Sequence, residues 1–172
     1  VEFSPYNKKY KYLDKQFIVA KSDEKSEIYD VLLYARRGII IANIHSYIKI
    51  ISAYAFANCY RLRNLNFSNN SQLTIIKNHA FEYTPITSMT IPSNVKIIGD
   101  FAFRKCAYLE NINFDDNSKL ELIGKNAFDS SAVKSIKLPK SVKKIDEQAF
   151  WFCCKLECFE IPNDSELEMI EG

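Results

Sequence analysis

The sequence predicts a β-rich solenoid, in which successive coils of the chain stack around one continuous core. An Ala-Phe pair returns five times, at Ala55-Phe56, Ala80-Phe81, Ala102-Phe103, Ala127-Phe128 and Ala149-Phe150. The phenylalanines are 25, 22, 25 and 22 residues apart, so the full unit is a double repeat of 47 residues. A fixed period of this length is typical of solenoids. A short segment of alternating apolar and polar residues follows each pair, as in a half-buried β-strand.

Further apolar columns define each coil. An isoleucine precedes the Ala-Phe pair at Ile51, Ile76, Ile98, Ile123 and Ile145, and Ile170 continues this column. The strand pattern apolar-x-x-apolar-x-apolar follows the pair, as in Leu109-x-x-Ile112-x-Phe114. Because no single coil can bury these columns alone, we expect them to stack and the strands to form a parallel sheet. Prolines directly after the strands, at Pro92, Pro139 and Pro162, argue against the alternative of amphipathic helices.

The alternation of long and short coils has a local cause. Long coils carry one extra residue after the phenylalanine and two more after the strand, as in Asp115-Asp116-Asn117-Ser118. Short coils close with Pro92-Ser93-Asn94 or Pro139-Lys140-Ser141. Asn, Asp, Ser and Pro all favour turns. We therefore expect every second coil to project a longer loop along one edge.

The chain divides near residue 39. Ile39, Ala42 and Ile44 match the strand columns, whereas residues 1–38 match none of them. The first part contains two apolar segments, residues 17–20 and 28–34, around a charged loop. It predicts a β-hairpin-like N-terminal capping segment over residues 1–38 and a solenoid over residues 39–172. The chain stops inside what would be a further repeat, so we expect a C-terminally truncated fragment.

Composition and missing motifs argue against several classes of function. Lys and Arg total 23 against 21 Asp and Glu, so a formal net charge of +2 gives no strong field to attract nucleic acid or an anionic membrane. The apolar runs are too short to cross a bilayer, and residues 1–16 lack the apolar core of a signal peptide. The four glycines build neither a dinucleotide fingerprint nor a P-loop. We therefore expect no enzyme, no cofactor, and no contact of this fragment with nucleic acid or membrane.

The five cysteines do not predict a metal site or a disulfide ladder. Cys59, Cys106 and Cys153 share a column two coils apart, about 10 Å, whereas a disulfide needs Cα atoms within about 7 Å. Thr84 and Ser131 fill the same column, which indicates a small buried slot. Cys153-Cys154-x-x-x-Cys158 lacks a fourth ligand and the usual paired spacing for zinc. An odd number of cysteines fits either a reducing compartment or a surface protein with few disulfides.

The outward face of the strands is the candidate binding surface. The residues that flank the middle apolar position of each strand form a polar, mostly uncharged ladder. We assign to it Asn43, Asn64, Asn66, Ser88, Thr90, Asn111, Asn113, Ser135, Lys137 and Glu160. Amides and hydroxyls can hydrogen-bond a protein or a glycan, and an ordinary solvated sheet has the same pattern. Since the ladder has no aromatic anchor, affinity would come from extended contact over many coils.

The columns resemble the BspA-like, or Treponema pallidum-type, leucine-rich repeat. Its unit runs roughly Cys-x-x-Leu-x-x-Ile-x-Leu-Pro, a spacer, and Val-x-x-Ile-Gly-x-x-Ala-Phe. Here it is visible in Cys106-x-x-Leu109-x-x-Ile112 and in the segment from Val95 to Phe103, and the resemblance covers residues 39–172. Glycine after the isoleucine is kept at Gly99 and Gly124 alone. The Asn-Ser and Asp-Ser loops are similar to the version abundant in protists such as Trichomonas.

This resemblance implies a right-handed leucine-rich-repeat solenoid with a parallel sheet on its concave face and short turns or 3-10 segments elsewhere. It also implies a cell-surface adhesin-like protein that binds a host or extracellular-matrix protein or contacts other microbes, and it brings no catalytic residues. An intracellular scaffold for protein–protein interaction is the alternative hypothesis, which the cysteines and the missing signal peptide favour. A cytoplasmic localisation therefore stays open.

Overall fold

The chain folds into a solenoid of short strands. A computed structural model describes residues 3–4 and 6–171, and these contain fifteen strands and no helix. Among these residues there is accordingly no helix of the length and hydropathy that a membrane span requires. The strands are β1 (Tyr10–Leu13), β2 (Phe17–Ala20), β3 (Val31–Ala35), β4 (Ile41–Ile44), β5 (Ile50–Ile51), β6 (Asn64–Phe67), β7 (Ile75–Ile76), β8 (Ser88–Ile91), β9 (Ile97–Ile98), β10 (Asn111–Phe114), β11 (Leu122–Ile123), β12 (Ser135–Lys137), β13 (Lys144–Ile145), β14 (Cys158–Glu160) and β15 (Met169–Ile170).

One wall of the solenoid is a nine-stranded sheet that runs through the isoleucine column. Its order is β1-β2-β3-β5-β7-β9-β11-β13-β15, and its strands are parallel from β3 onward. Isoleucines lie in register along it, as where Ile76 pairs with Ile51 and Ile98. The sequence predicted turns on this side. The sheet was not predicted, because two residues per coil are too few for an alternating pattern.

The opposite wall holds the predicted strand of each coil, and we call its outer surface the strand face (β4, β6, β8, β10, β12 and β14). This wall is divided, because β4 pairs with β6 while β8, β10, β12 and β14 form a separate sheet. Within the described part of the chain no pairing joins β6 to β8, and β10 shares a single register pair, Asn111 with Ser135, with β12. Each of these two gaps lies after a strand, β6 or β10, that leads into one of the longer loops. The long and short coils therefore group the strands in pairs.

The core between the walls is built on a stack of phenylalanines. Phe56, Phe81, Phe103 and Phe128 are fully buried, and their ring centroids are 4.9, 5.2 and 5.1 Å apart. Phe150 continues the stack at 5.3 Å but is partly exposed. Burial of such a side chain stabilises the fold by about 2–3 kcal/mol. The predicted shared core is thus present, and it runs through the five coils that carry an Ala-Phe pair.

Left-handed backbone conformations shape the turn around each Ala-Phe pair. The residue before each alanine and the second residue after each phenylalanine have φ between 51° and 60°. They are Tyr54, Asn58, His79, Tyr83, Phe101, Lys105, Asn126, Ser130, Gln148 and Phe152. Each costs about 1–2 kcal/mol for a residue with a Cβ. Hydrogen bonds between coils hold the turn, since Phe81 N–H donates to the Ala102 carbonyl at 2.8 Å and Phe103 N–H to the Ala127 carbonyl at 2.7 Å.

The N-terminal strands extend the nine-stranded sheet. β2 and β3 flank the charged loop and pair antiparallel, and β1 adds a third strand that the sequence pattern did not predict. β3 then pairs parallel with β5, and Phe17 packs edge-on against Phe56 with 6.1 Å between ring centroids. That residues 1–38 act as a cap stays a prediction, and residues 1, 2 and 5 of it lie outside the described part. Residue 172 of the expected solenoid lies outside it as well.

Candidate functional site

The strand face exposes every residue of the predicted ladder. The apolar residues between them, such as Ala42, Met89, Ile112 and Ile136, are buried. This alternation follows from the period of two along a β-strand. Exposed to solvent are Asn43, Asn64, Asn66, Ser88, Thr90, Asn111, Asn113, Ser135, Lys137 and Glu160.

Register brings the ladder residues of paired strands side by side. Asn43 pairs with Asn66, and the Asn66 Nδ2 donates to the Asn43 Oδ1 at 2.8 Å. Thr90 likewise lies beside Asn113. A side-chain amide has two N–H donors and an oxygen with two lone pairs. The linked amides therefore retain donors and acceptors for a ligand.

Two clefts interrupt the strand face where the strands separate. The β6–β8 cleft has a volume of about 440 Å³, and four ladder residues line it, namely Asn66, Ser88, Thr90 and Asn113. The second cleft, of about 500 Å³, lies at the ends of β10 and β12 and includes Lys137. The remaining ladder residues, Asn43, Asn64, Asn111, Ser135 and Glu160, lie outside both clefts. The structure thus distributes the predicted ladder over an open face and two recesses.

Backbone groups face into the β6–β8 cleft. Asn64 N–H donates to the Ile40 carbonyl, so the peptide groups of Leu65, the next residue, point away from β4 and toward β8. Asn111 N–H donates to the Thr87 carbonyl, so the peptide groups of Ser88 point toward β6. Because β6 and β8 do not pair, these groups make no hydrogen bond between the two strands. The β6–β8 cleft therefore combines backbone and amide hydrogen-bonding groups with little charge.

The cysteine column packs against the core, where Cys59 and Cys106 are buried and Cys153 is partly buried. Cys106 is fully buried, and its thiol donates to the Phe81 carbonyl at 3.2 Å and contacts the Thr84 Oγ1 at 3.3 Å. Burial raises the pKa of the Cys106 thiol to about 12. All five cysteines are free, with Cys154 and Cys158 exposed. In the part of the chain that the structure describes, no cluster of His, Cys, Asp and Glu is arranged to hold a metal ion.

Sequence reasoning missed a row of aromatic side chains beside the strand face. Tyr60 and Tyr108 are 65% and 62% exposed, and Tyr83 lies between them in the sequence on the intervening short coil. Tyr60 and Tyr108 stand in the extra segment that long coils carry after the phenylalanine. Tyr60 follows Cys59 by one residue and Tyr108 follows Cys106 by two, so the available signal was a tyrosine in the same short segment of two long coils, outside the strand positions.

Solved structures show the same fold. The pneumococcal vaccine antigen PcpA superposes with a TM-score of 0.70 at 27% identity, covering 81% of this chain and 33% of that chain. A leucine-rich repeat protein from Bacteroides ovatus gives 0.57 at 28% identity, covering 78% and 42%. The T. pallidum leucine-rich repeat protein gives 0.70 at 19% identity, covering 92% and 82%. The chain thus spans about a third of PcpA and about two fifths of the Bacteroides ovatus protein. No curated protein matches it.

The sequence itself also matches a family. The profile of the BspA type leucine rich repeat region matches six copies over residues 26–157, and so begins inside the segment expected to form the cap. Repeats of this family are non-catalytic scaffolds for binding proteins. Together with the two walls and the phenylalanine stack, this match confirms the expected resemblance. The chain belongs to the BspA-type leucine-rich repeat family.

Proposed function

We propose that this chain is the recognition module of a cell-surface, adhesin-like protein, and that its strand face binds a host or extracellular-matrix protein or a partner on another microbe. The β6–β8 cleft is the observation that carries the proposal. Its unpaired peptide groups and its uncharged Asn, Ser and Thr side chains can hydrogen-bond an extended peptide that lies along the cleft. The description of PcpA as a vaccine antigen supports a surface role.

A protein is favoured over a glycan as the ligand. Peptide groups at the edge of a strand have the spacing of another peptide backbone. The aromatic row also lies outside the strand face, and Phe67, the one aromatic among the described residues that line the β6–β8 cleft, is partly buried against the core and offers little ring surface to a sugar. A glycan-binding face therefore ranks second for this surface.

Variants of the β6–β8 cleft test the proposal. Asn66→Lys combined with Asn113→Lys places two long charged side chains in the β6–β8 cleft, while Gln72→Lys adds a charge at an exposed residue off the strand face. We expect the double variant to bind cultured animal cells and a matrix preparation at least about tenfold more weakly, and Gln72→Lys to bind normally. Treating the cells with protease should abolish binding, and removing their glycans should not. Unchanged binding by the double variant would refute the site.

An intracellular scaffold is the second candidate, because all five cysteines are free and two of them are exposed. Such thiols persist in a reducing compartment. Antibody labelling of intact and permeabilised cells separates the two proposals. Labelling of intact cells supports the surface module, and labelling that requires permeabilisation supports the scaffold.

A further inference from the structure

A further recess lies at the edge where the chain enters the strand face. We call it the aromatic notch, and define it by Tyr60, Arg63, Tyr83, Pro85, Lys105 and Tyr108. Its volume is about 300 Å³. It shares no residue with the β6–β8 cleft, which lies at the opposite ends of the strands.

The alternation of coil lengths creates the aromatic notch. Tyr60 and Tyr108 belong to long coils, whose extra residue lets the chain project at this edge. The short coil between them has Thr84 and Pro85 instead, and both are buried. Equivalent positions two coils apart are separated by about 10 Å. Tyr60 and Tyr108 are exposed on the coils at either side of the buried Thr84 and Pro85. A gap of this width admits one side chain of an extended peptide, while the adjacent side chains of the peptide lie on the two tyrosines.

The aromatic notch carries positive charge that the protein leaves uncompensated. The Lys105 Nζ donates to the Tyr83 hydroxyl at 2.6 Å and lies 4.9 Å from the centroid of that ring. The Arg63 guanidinium reaches the Pro85 carbonyl at 3.5 Å. No carboxylate lines the aromatic notch, and among the described residues none forms an ion pair with either cation.

Two neighbouring cations, Arg104 and Lys134, form ion pairs with carboxylates. Arg104 bonds both Glu82, at 3.1 Å, and Asp129, at 3.0 Å. Lys134 pairs with Glu110 at 2.6 Å. Lys105 and Arg63, by contrast, face neutral groups in the aromatic notch. Charge complementarity then points to a ligand that supplies an anion.

We propose that the aromatic notch binds an extended acidic segment of a partner protein. An Asp or Glu carboxylate of that segment pairs with Lys105 and Arg63, and the flanking side chains pack on Tyr60 and Tyr108. A bond from these cations to a carboxylate is stronger than the bonds to a neutral hydroxyl and a neutral carbonyl that they make in the free protein. Tyrosine and arginine are also the residue types that most often dominate the energy of protein interfaces.

The small number of unpaired cations in the aromatic notch argues against a polyanionic glycan as its ligand. Surfaces that bind heparin-like chains present runs of lysine and arginine. Here two cations stand between tyrosines, which suits one carboxylate of an acidic peptide, with the methylene groups of the adjacent side chains packed on the tyrosines. The proposal does not depend on the function of the strand face.

Binding of a labelled oligoglutamate peptide to the whole chain tests the proposal, with oligolysine and heparin as comparisons. We expect oligoglutamate to bind more tightly than oligolysine, and added salt to weaken this binding. Lys105→Glu and Arg63→Glu should each weaken it at least about tenfold. Lys119→Glu is the matched control, because it makes the same change in charge at the other end of the strands, where Lys119 bonds Asn94. Tyr108→Ala should weaken binding without changing its dependence on salt.

Three results would overturn the proposal. The first is that oligoglutamate binds no better than oligolysine. The second is that Lys119→Glu weakens binding as much as Lys105→Glu, which would indicate general attraction by net charge. The third is that heparin binds through Lys105 and oligoglutamate does not. Circular dichroism confirms that each variant is folded, and Asn66→Lys should leave oligoglutamate binding intact, so a failure of either proposed site is recognised separately.

Discussion

At the scale of single residues, Asp30 joins the N-terminal strands to the first coils. Its carboxylate is 1% exposed and accepts hydrogen bonds from the Ser22 N–H at 2.8 Å and the Ser22 Oγ at 2.7 Å. The Lys49 Nζ lies 3.2 Å away. Burial alone would raise the pKa of Asp30, but the hydrogen bonds from Ser22 and Lys49 outweigh it and lower the pKa below its ordinary value. The charged form is therefore the one that the fold stabilises.

This lowered pKa predicts a loss of stability in acid. The contribution of Asp30 is complete above the pKa of the unfolded chain, about 4, and disappears as the pH falls through the lower pKa of the folded protein. Asp30→Asn should reduce the free energy of unfolding by about 1–3 kcal/mol at neutral pH. Urea denaturation of both proteins from neutral pH to about pH 3 measures the difference. A difference that stays constant over this range would contradict the prediction.

The residue types predicted which side chains of the strands are exposed, but they did not predict the aromatic notch. Each ladder residue is exposed, since the period of two in a strand decides which side chains face outward. The aromatic notch was missed, because it depends on the step between long and short coils and on the absence of a carboxylate near Lys105. Those are properties of three coils together. The left-handed residues were missed because none of the ten around the Ala-Phe turns is a glycine.

At the scale of elements, Gly99 and Gly124 are required by close contact between turns. A Cβ on Gly124 would lie 2.7 Å from the Asp100 backbone nitrogen and 2.8 Å from the Gly99 carbonyl carbon. Both distances join it to backbone atoms, which cannot move aside without disturbing the next coil. Other coils have Ser52, Lys77 or Asp146 at this position, so the requirement is local to two adjacent turns.

Gly124→Ala should therefore destabilise the protein by about 1–3 kcal/mol through overpacking. Ser52→Ala changes the same column where a side chain is already accommodated, and should alter stability by less than about 0.5 kcal/mol. Chemical denaturation of the two variants compares them directly. Equal effects would mean that the contact at Gly124 relaxes without cost.

The sequence columns located the strands of the strand face but not how they pair. The apolar-x-x-apolar-x-apolar pattern coincides with β6, β8 and β10, and the longer loops fall where expected. That these loops separate β6 from β8 could not be foreseen, because pairing depends on where neighbouring backbones lie in space. The two-residue strands of the other wall were equally invisible, since their order comes from stacking of coils rather than from local preference.

At the scale of the whole molecule, the phenylalanine stack makes stability depend on position along the axis. Phe103 lies between two stacked rings and is fully buried, whereas Phe150 is partly exposed and meets Phe159 edge-on at 5.4 Å. Removing the central ring leaves a cavity with neighbours on both sides. Nearest-neighbour coupling in solenoids spreads this loss to both adjacent coils.

Phe103→Ala should cost about 3–5 kcal/mol, as for other aromatic truncations in a core. Phe150→Ala should cost clearly less, because part of its surface is already in water. Thermal and urea unfolding of the two variants provide the comparison. A cost below about 1 kcal/mol for Phe103→Ala would mean that the stack does not carry the shared core.

The nine-stranded sheet also determines how the protein responds to tension. Its interstrand hydrogen bonds run along the solenoid axis, so a pull on the two ends loads them one coil after another rather than all together. Each coil of 22 or 25 residues that peels away lengthens the chain by about 80 Å. When the protein is held under force between two surfaces, its coils unfold one after another and dissipate work. The remaining coils keep their folded surface meanwhile.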